Sequence, residues 1–275
     1  MAVLGQLLSE RYGLSTRMSE KINQTVQTIL RHRSCRNYKR DEIPDNILRI
    51  LLACAQSAPT KSNLQQYSIL VLSDPELRSK VCRLVPSMGW LADAPTILVF
   101  LGDVQRIRQI MKRKGYKYKN NNADTFLNAS VDAALAMQAL ITAAESLNLG
   151  TCPISYVRNR IEELSDLLKL PDGVFPICGL ALGYRADSGV TAIRLPQDIV
   201  VHYNFYQDND LEAKITEFDD RVHKINPIIP KNQRHTKKYG TLRKCTWSEN
   251  VSRQLSVRER GGFCDYLKTK RIKLS

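Results

Sequence analysis

Apolar residues in this chain follow helical spacing in some stretches and strand spacing in others, and the two kinds of stretch succeed one another. The spacing predicts a first helix over residues 19–32, with Ser19 as its N-cap. Its predicted buried stripe consists of Ile22, Val26, Ile29 and Leu30. A second helix is predicted from Pro44 to about Ser57, because proline is well tolerated in the first turn of a helix.

The rest of the chain continues this alternation. Further helices are predicted over residues 76–84 and 158–168, and a basic, exposed helix and loop over 104–122. Strands are predicted over 68–72, 96–101, 150–155 (strand or loop) and 175–184. Glycines in the last strand suggest close approach of its backbone to another segment. Tyr203–Phe205 is predicted to be at most a short edge strand. Strands separated by helices indicate a mixed α/β or α+β sandwich.

Residues 131–147 are apolar on nearly every helical face, and Gly150 is expected to stop this helix. A helix that is hydrophobic all round is buried all round. In a chain of this size, such a helix belongs in the middle of the core, at a subunit interface, or in both.

Composition narrows the class of protein. Hydrophobic residues make up 43% of the chain and charged residues 25%, as in ordinary globular proteins. No apolar run approaches the roughly 20 residues that span a bilayer, and the N-terminus lacks the apolar core of a secretory signal. The seven cysteines form no C-x-x-C pair, and the four histidines form no helical i,i+4 pair. We therefore expect no disulfide framework and no metal site, and a reduced, cytoplasmic protein.

The formal net charge is +14, and it is concentrated near the C-terminus. Residues 221–275 contain 15 Lys and Arg against 3 Asp and Glu. Such a segment either attracts polyanions, meaning nucleic acid or nucleotide phosphates, or simply keeps the surface soluble. Charge alone does not choose between these interpretations.

The segment Arg31-His32-Arg33-Ser34-Cys35-Arg36 carries three guanidiniums, an imidazole and a hydroxyl within six residues. Arginine presents a planar fork of donors that fits phosphate oxygens two at a time, so this segment is a candidate phosphate site. The alternative is a solvated basic surface. Residues 57–66 form a polar, turn-rich loop, which is either a simple connection or a ligand-lining segment.

Several motifs, in this order, resemble the flavin-dependent nitroreductase family, and most closely its NADPH-preferring, oxygen-insensitive nitroreductase and flavin reductase branch. They are His32-Arg33-Ser34-x-Arg36, the loop 57–65, Asp132-Ala-Ala-Leu-Ala-Met-Gln-Ala-Leu140, Ala144-Glu-Ser-Leu-x-Leu-Gly150, Leu168-Lys-Leu-Pro171, Gly179-Leu-Ala-Leu-Gly-Tyr184, Arg194-Leu-Pro196, Thr246-Trp-Ser248 and Asp265-Tyr-Leu267. The resemblance extends over residues 21–270.

The resemblance implies an α+β nitroreductase-like sandwich, with a mixed or antiparallel sheet flanked by helices, and a homodimer with FMN at the subunit interface. The helix from Val131 would then form the dimer core. The implied FMN ligands are His32, Arg33, Ser34, Arg36 and Arg194 at the phosphate, Thr60 and Ser62 beside the ring, and Ile154, Ser155 and Tyr156 at the redox edge. FMN itself would carry the chemistry, so no catalytic side chain is expected.

The same resemblance implies that Lys238 and Arg243 hold the 2′-phosphate of NADPH, with NADH also possible. Five positions depart from the branch. Ala192 replaces a phosphate-binding lysine, and Met88 stands where a polar amide would reach the flavin. Ser155 and Tyr156 replace two glycines, and Asn63 replaces an aromatic residue.

The expected activity is FMN-dependent NAD(P)H oxidoreduction, with nitroaromatics, quinones or free flavins reduced by ping-pong hydride transfer. One alternative is a specialised flavoenzyme of the same fold, such as an azoline dehydrogenase or a single-metabolite reductase. A nucleic-acid-binding protein is a weaker alternative, since no known binding motif accompanies the basic tail. The expected segments are a lead-in (1–20), an FMN-binding core (21–205) and a basic extension packed on the core and the dimer partner (206–275).

Overall fold

The computed structural model describes residues 4–275, which form two compact units. The smaller unit comprises the described residues up to Arg33 together with Val190–Glu259, and the larger unit comprises Ser34–Gly189 together with Arg260–Ser275. Each unit thus combines segments that are distant in sequence. The sequence predicted three consecutive segments with boundaries at residues 20 and 205, and this division stays a prediction.

Both units contain helices, and the described strands all lie in the larger unit. Along residues 4–275 the helices are α1 (Leu4–Tyr12), α2 (Gln24–Leu30), α3 (Asp45–Gln56), α4 (Pro75–Arg83), α5 (Gln105–Arg113), α6 (Ala123–Ser146), α7 (Ile161–Leu167), α8 (Gln197–Val200), α9 (Leu211–Ile225), α10 (Thr236–Tyr239), α11 (Trp247–Leu255) and α12 (Phe263–Thr269). The strands are β1 (Tyr67–Val71), β2 (Thr96–Asp103), β3 (Leu149–Ile154) and β4 (Val174–Tyr184). Short 3₁₀ turns cover Lys61–Asn63, Gly89–Asp93, Ser155–Arg158 and Pro230–Asn232.

The larger unit is built on a four-stranded sheet with the order β1-β2-β4-β3, in which every neighbouring pair is antiparallel. All of β2 after Thr96 is buried. Its side chains alternate between the two faces, as the pleat of a strand requires. Ile97, Val99 and Leu101 pack in a cluster with residues of α4 and α7, whereas Leu98 and Phe100 pack in a cluster with residues of α3 and α6. Helices therefore cover both faces, and the predicted α+β sandwich is confirmed.

The smaller unit has its own apolar cluster. Phe218 and Val222 of α9 pack against Ile193, with Trp247 of α11 at the edge. The rings of Phe218 and Trp247 meet edge to face, with centroids 5.3 Å apart. The carboxylate of Asp219 accepts the backbone N–H of Ser248 at 2.9 Å and so joins α9 to the first turn of α11.

Most of the predicted elements are present with small shifts at their ends. Helix α3 follows Pro44, which takes the N-cap position, and the helices and strands predicted between residues 68 and 104 all form. The glycines of β4 do have close neighbours. A Cβ on Gly183 would lie 2.5 Å from Cδ of Pro95, and a Cβ on Gly179 would lie 2.9 Å from Cγ1 of Val157.

The prediction for the first helix is wrong in two respects. Helix α2 begins at Gln24, because Asn23 caps it by accepting the N–H of Val26, so Ser19 is not its cap. The expected stripe is not buried either, since Val26 and Ile29 are exposed and the buried residue is Thr28. Periodicity located the apolar face of α2 but could not show whether this chain covers it.

Helix α6 is longer than predicted and is not buried all round in the single chain. It begins at Ala123, where Asn122 caps it by accepting the N–H of Thr125. One face packs on the sheet, and a stripe on another face is exposed. That stripe, called here the α6 apolar stripe, consists of Leu127, Val131 and Leu135. By length and composition α6 could cross a membrane, although one such helix is also typical of the core of a soluble protein.

One further prediction near a chain reversal is wrong. Asn148, not Gly150, adopts the left-handed conformation after α6, with φ of 61°. Gly150 instead lies in β3, where a Cβ would come within 2.6 Å of Cβ of Cys35. Residues 203–205 form bends and not an edge strand, and the side chains of Tyr203 and Phe205 are exposed.

Candidate functional site

The second half of the predicted phosphate segment, residues 34–36, belongs to the larger unit and runs beside β3. Ser34 forms an isolated parallel bridge with Thr151, and the N–H of Cys35 donates to the carbonyl of Thr151 at 2.8 Å. The small Gly150 makes room for Cys35. Because side chains alternate along this extended segment, Cys35 is buried while Ser34 and Arg36 are exposed on the other side.

The guanidinium of Arg36 in this segment affects the pKa of a buried thiol in β3. Burial raises the pKa of the Cys152 thiol, while the Arg36 guanidinium and a hydrogen bond from Ser34 oppose that increase. Arg36 and Ser34 thus both interact with the Cys152 side chain. Their role at a phosphate stays a prediction.

The remaining predicted phosphate ligands lie in the smaller unit, where one buried arginine connects their backbones. The Arg11 guanidinium donates to the carbonyls of Leu30 at 2.6 Å, His32 at 2.7 Å and Ala192 at 3.2 Å. The carbonyl of Arg11 accepts the N–H of Arg194 at 2.8 Å. The segments that carry His32 and Arg194 are therefore held together through α1.

The loop predicted to border the ring has a strained backbone. Ser62, Asn63 and Gln65 are left-handed, with φ between 48° and 56°, a region that non-glycine residues rarely adopt. Thr60 precedes this stretch in an extended conformation and is half-buried, while Ser62 is exposed. Strain of this kind persists only where surrounding contacts enforce it, and it is common at ligand sites.

Two side chains enforce the shape of this loop. The carboxylate of Asp132, which is 1% exposed, accepts the backbone N–H groups of Lys61 at 2.9 Å and Gln66 at 3.0 Å. Arg106 donates to the carbonyls of Gln65 at 2.8 Å and of the first residue of β1 at 3.2 Å. The sequence hinted only at Asp132, as a charge inside an apolar helix.

The predicted redox edge follows β3 directly. Ile154 is buried, Tyr156 is half-buried and Ser155 is exposed. The sequence interpretation missed a cation here, because Arg260 donates to Oγ of Ser155 at 3.3 Å and to Oδ1 of Asn159 at 2.8 Å. Its only sequence signal was an arginine before Gly261 and Gly262, which is typical of a turn.

A second arginine reinforces the positive charge at this edge. Arg158 donates to the carbonyl of Ile177. Burial and the nearby Arg260 guanidinium lower the pKa of Arg158. The Arg260 guanidinium therefore lies beside the exposed hydroxyl of Ser155, and the Arg158 guanidinium interacts with Arg260. Positive charge there favours a negatively charged or electron-rich ligand.

The predicted nicotinamide ligands flank one short loop in the smaller unit. Lys238 lies in α10, with its ammonium 4.9 Å from the centroid of the Tyr239 ring, and Arg243 is exposed. Hydrogen bonds from two side chains fix the backbone of the loop between them. The Gln233 side chain both accepts the N–H of Leu242 and donates to its carbonyl, at 2.9 and 2.8 Å, and the buried Arg253 donates to the carbonyl of Gly240 at 2.8 Å.

Two of the departures also have defined surroundings. Met88 is partly buried against the apolar cluster that includes Val85 and Leu91, so it contributes packing there. Ala192 is exposed and offers only its carbonyl, which accepts from Arg11. The described residues hold no group of three or more His, Cys, Asp or Glu side chains that could bind a metal ion.

Comparison with known proteins places these features in a family. The profile of the nitroreductase family matches residues 29–184, and that of the nitroreductase family C-terminal domain matches residues 193–275. An FMN reductase (NADPH) from Bacillus subtilis is 32% identical over 253 residues, covering 90% of this chain and 98% of the relative. An oxygen-insensitive NADPH nitroreductase from Salmonella typhimurium is 32% identical over 246 residues, covering 90% and 97%.

Solved structures agree with these sequence matches. The structure of NfrA2 from B. megaterium has a TM-score of 0.84 at 29% identity and covers 92% of this chain and 100% of its own. The NADPH:FMN oxidoreductase from Vibrio harveyi, complexed with NAD⁺, has a TM-score of 0.79 at 28% identity and covers 90% and 98%.

Proposed function

This chain belongs to the nitroreductase family, and we propose that it is an FMN-dependent NAD(P)H oxidoreductase that reduces nitroaromatics, quinones or free flavins. The observation that carries the proposal is its similarity, over nearly their full length, to proteins named as an FMN reductase and as an NADPH nitroreductase. The donors found within each unit support it.

The residues present suit the parts of FMN. The phosphate would be held by Arg33, Ser34 and Arg36, with His32 and Arg194 also contributing. Charge-assisted donors of this kind bind a dianion strongly, and Arg36 and Ser34 both interact with the same residue of β3, Cys152. Three arginines remain for the phosphate although Ala192 contributes no charge.

The ring would lie against backbone whose shape is fixed in advance. The left-handed loop that follows Thr60 and includes Ser62 is held by Asp132, so its donors would need little rearrangement on binding. The backbones of Ile154 and Ser155 and the Tyr156 side chain would border the redox edge. When bound, FMN supplies the two-electron chemistry, accepting hydride from the nicotinamide and delivering it to the acceptor.

Basic side chains of the protein would bind the nicotinamide cofactor and stabilise negative charge. Arg260, which contacts Ser155, and the nearby Arg158 would provide positive charge that stabilises negative charge on a ligand bound there. Lys238 and Arg243 would bind the 2′-phosphate of NADPH. A lysine binds phosphate as a point charge and without the bidentate fork of arginine, so NADH could also serve.

We further propose a homodimer in the cytoplasm. The α6 apolar stripe exposes Leu127, Val131 and Leu135 at i,i+4 spacing along one helix. Contiguous apolar surface of this kind marks an interaction site on a soluble protein. A second copy of the chain would cover it, as the family resemblance implies.

Flavin content and bleaching test the proposal together. Purified protein should show the absorption band of bound flavin, and that band should bleach when NADPH is added without oxygen. Arg33→Ala should lose most of the FMN, whereas Arg40→Ala, an exposed arginine in the same region, should retain it. Colourless protein that retards DNA or RNA with a steep salt dependence would instead support the nucleic-acid alternative.

Turnover of a panel of acceptors tests the substrate class. Nitroaromatics, quinones, free flavins and azoline peptides are compared with NADPH and with NADH. Broad reduction of the first three classes supports the proposal. Turnover confined to azoline peptides or to one metabolite would favour the specialised flavoenzyme, an outcome consistent with Ser155 and Tyr156 where the family resemblance implies two glycines.

A further inference from the structure

Helix α1 lies before the two segments that match the family profiles, which begin at residue 29. Its buried residues are Gly5, Leu7 and Arg11, and Arg11 is 6% exposed. An arginine is seldom buried to this extent unless its donors are satisfied. Its position therefore calls for an explanation that the family motifs do not supply.

The segment that follows α1, residues 13–18, turns back and holds the helix in place. Gly13 ends it in the left-handed conformation, with φ of 66°, and donates to the carbonyl of Ser9 at 2.8 Å. The chain then turns back, so that the N–H of Gly5 donates to the carbonyl of Met18 at 3.0 Å and the N–H of Thr16 donates to Oγ of Ser9. The Arg11 side chain thus extends from a fixed base.

The guanidinium of Arg11 bridges two segments that are 160 residues apart in the chain. On one side it donates to the carbonyls of Leu30 and His32, and on the other to the carbonyl of Ala192. The backbone of Arg11 also accepts the N–H of Arg194 at 2.8 Å. Hydrogen bonds from a charged donor are stronger than neutral ones, so this bridge constrains both segments.

The bridged atoms are immediate neighbours of proposed phosphate ligands. The carbonyl of His32 forms the peptide bond to Arg33, and the segment containing Ala192 leads into Arg194. The spacing between these two arginines is therefore set by Arg11. A phosphate binds tightly when its cations are already correctly spaced, because no ordering is then needed on binding.

We propose that Arg11 is a positioning residue for the FMN phosphate: α1 uses it to fix the backbones that carry Arg33 and Arg194 in the spacing that a phosphate dianion requires. Its buried positive charge also lies next to Ala192, which contributes no charge of its own. The inference rests on the proposed binding of FMN, and it adds an N-terminal element to that site.

The test compares FMN with riboflavin, which has the same ring and lacks the phosphate. Equilibrium dialysis of the full-length protein gives the Kd of each. Arg11→Met should weaken FMN binding about tenfold, the equivalent of one lost charge-assisted hydrogen bond, and leave riboflavin binding within about twofold. Arg11→Lys, which keeps the charge without the fork, should give an intermediate FMN affinity. Arg17→Met, at an exposed arginine just after α1, should change neither Kd.

The outcomes distinguish failure of the proposed phosphate site from failure of the positioning role of Arg11. If the wild-type protein binds FMN no more tightly than riboflavin, the proposed phosphate site is wrong. If wild type prefers FMN and the Arg11 variants keep the same preference, the site stands and the positioning role of Arg11 is wrong. If Arg11→Met does not fold by circular dichroism, Arg11→Lys decides, and an FMN-to-riboflavin preference equal to that of wild type overturns the inference. An equal loss for both flavins would also overturn it, because that would indicate general destabilisation.

Discussion

The carboxylate of Asp132 accepts the backbone N–H of Gln66 at 3.0 Å, joining the middle of α6 to the end of a loop 66 residues earlier in the chain. Its other oxygen accepts the N–H of Lys61, so a single side chain holds both ends of the left-handed stretch. The Asp132 side chain is almost fully buried, and its two oxygens each accept one of these backbone N–H groups.

Asp132→Asn should therefore destabilise the fold by about 2–3 kcal/mol, because an amide offers one acceptor oxygen and directs its NH₂ at a backbone donor. Urea unfolding measures this change, and flavin titration should show weaker binding as the loop loses its shape. Asp124→Asn, at an exposed position on the same helix, should change stability by less than about 0.5 kcal/mol. Equal stability of the two variants would contradict the role given to Asp132.

A charge in the α6 apolar stripe should disrupt the dimer. Val131→Glu places a carboxylate in a surface that we propose a second copy covers, and burying an unpaired charge is unfavourable. Light scattering after size exclusion should report a dimer for wild type and a monomer for the variant. Gln109→Glu, which adds the same charge on α5 at an exposed position, should remain dimeric. A monomeric wild type would refute the dimer itself.

Alkaline pH should destabilise the larger unit through a buried tyrosine. Burial raises the pKa of Tyr266 to about 12, from an ordinary value of 10 in the unfolded chain. The folded state therefore favours the neutral phenol, and its contribution is complete below pH 10 and is lost as the pH rises toward 12. The loss should be about 2 kcal/mol.

Comparison with Tyr266→Phe isolates this effect from other tyrosines, such as Tyr38, whose pKa burial also raises. Urea unfolding free energies of the two proteins, measured from pH 8 to pH 12, should differ by a constant amount up to about pH 10. Above that value, wild type should lose stability faster than the variant. Parallel curves over the whole range would show that Tyr266 does not titrate in this way.

The cysteines should differ sharply in reactivity. All seven are free thiols, Cys264 is exposed, and burial raises the pKa of Cys152 and Cys178. Because the thiolate is the reactive form, a disulfide reagent should modify Cys264 rapidly and these two buried thiols slowly. In urea, all seven should react.

Cys264→Ser should remove the fast phase of this reaction, followed by absorbance of the released thiol. Cys178→Ser should keep the fast phase, since Cys178 lies within β4 and is buried. A fast phase that survives in Cys264→Ser would mean that a different thiol is accessible in solution.

The sequence by itself determined the elements whose pattern is local. The unbroken apolar run of β2 predicted a strand buried on both faces, and Pro44 predicted the start of α3. The order of two motifs in the chain, the donors around Arg33 and the polar loop from Ser57, pointed to a family that binds a flavin and its phosphate. Residue type and spacing were sufficient for these predictions, because each depends on neighbours a few positions away.

Only the tertiary structure decided which polar groups are joined over long distances and which apolar faces are covered. Nothing in the sequence connects Arg11 to Ala192, Asp132 to Gln66 or Arg260 to Ser155, because a side chain finds a remote backbone partner only once the chain has folded. In the same way, periodicity gave α2 and α6 an apolar face. Whether that face meets the sheet, solvent or a second chain depends on packing that no local pattern encodes.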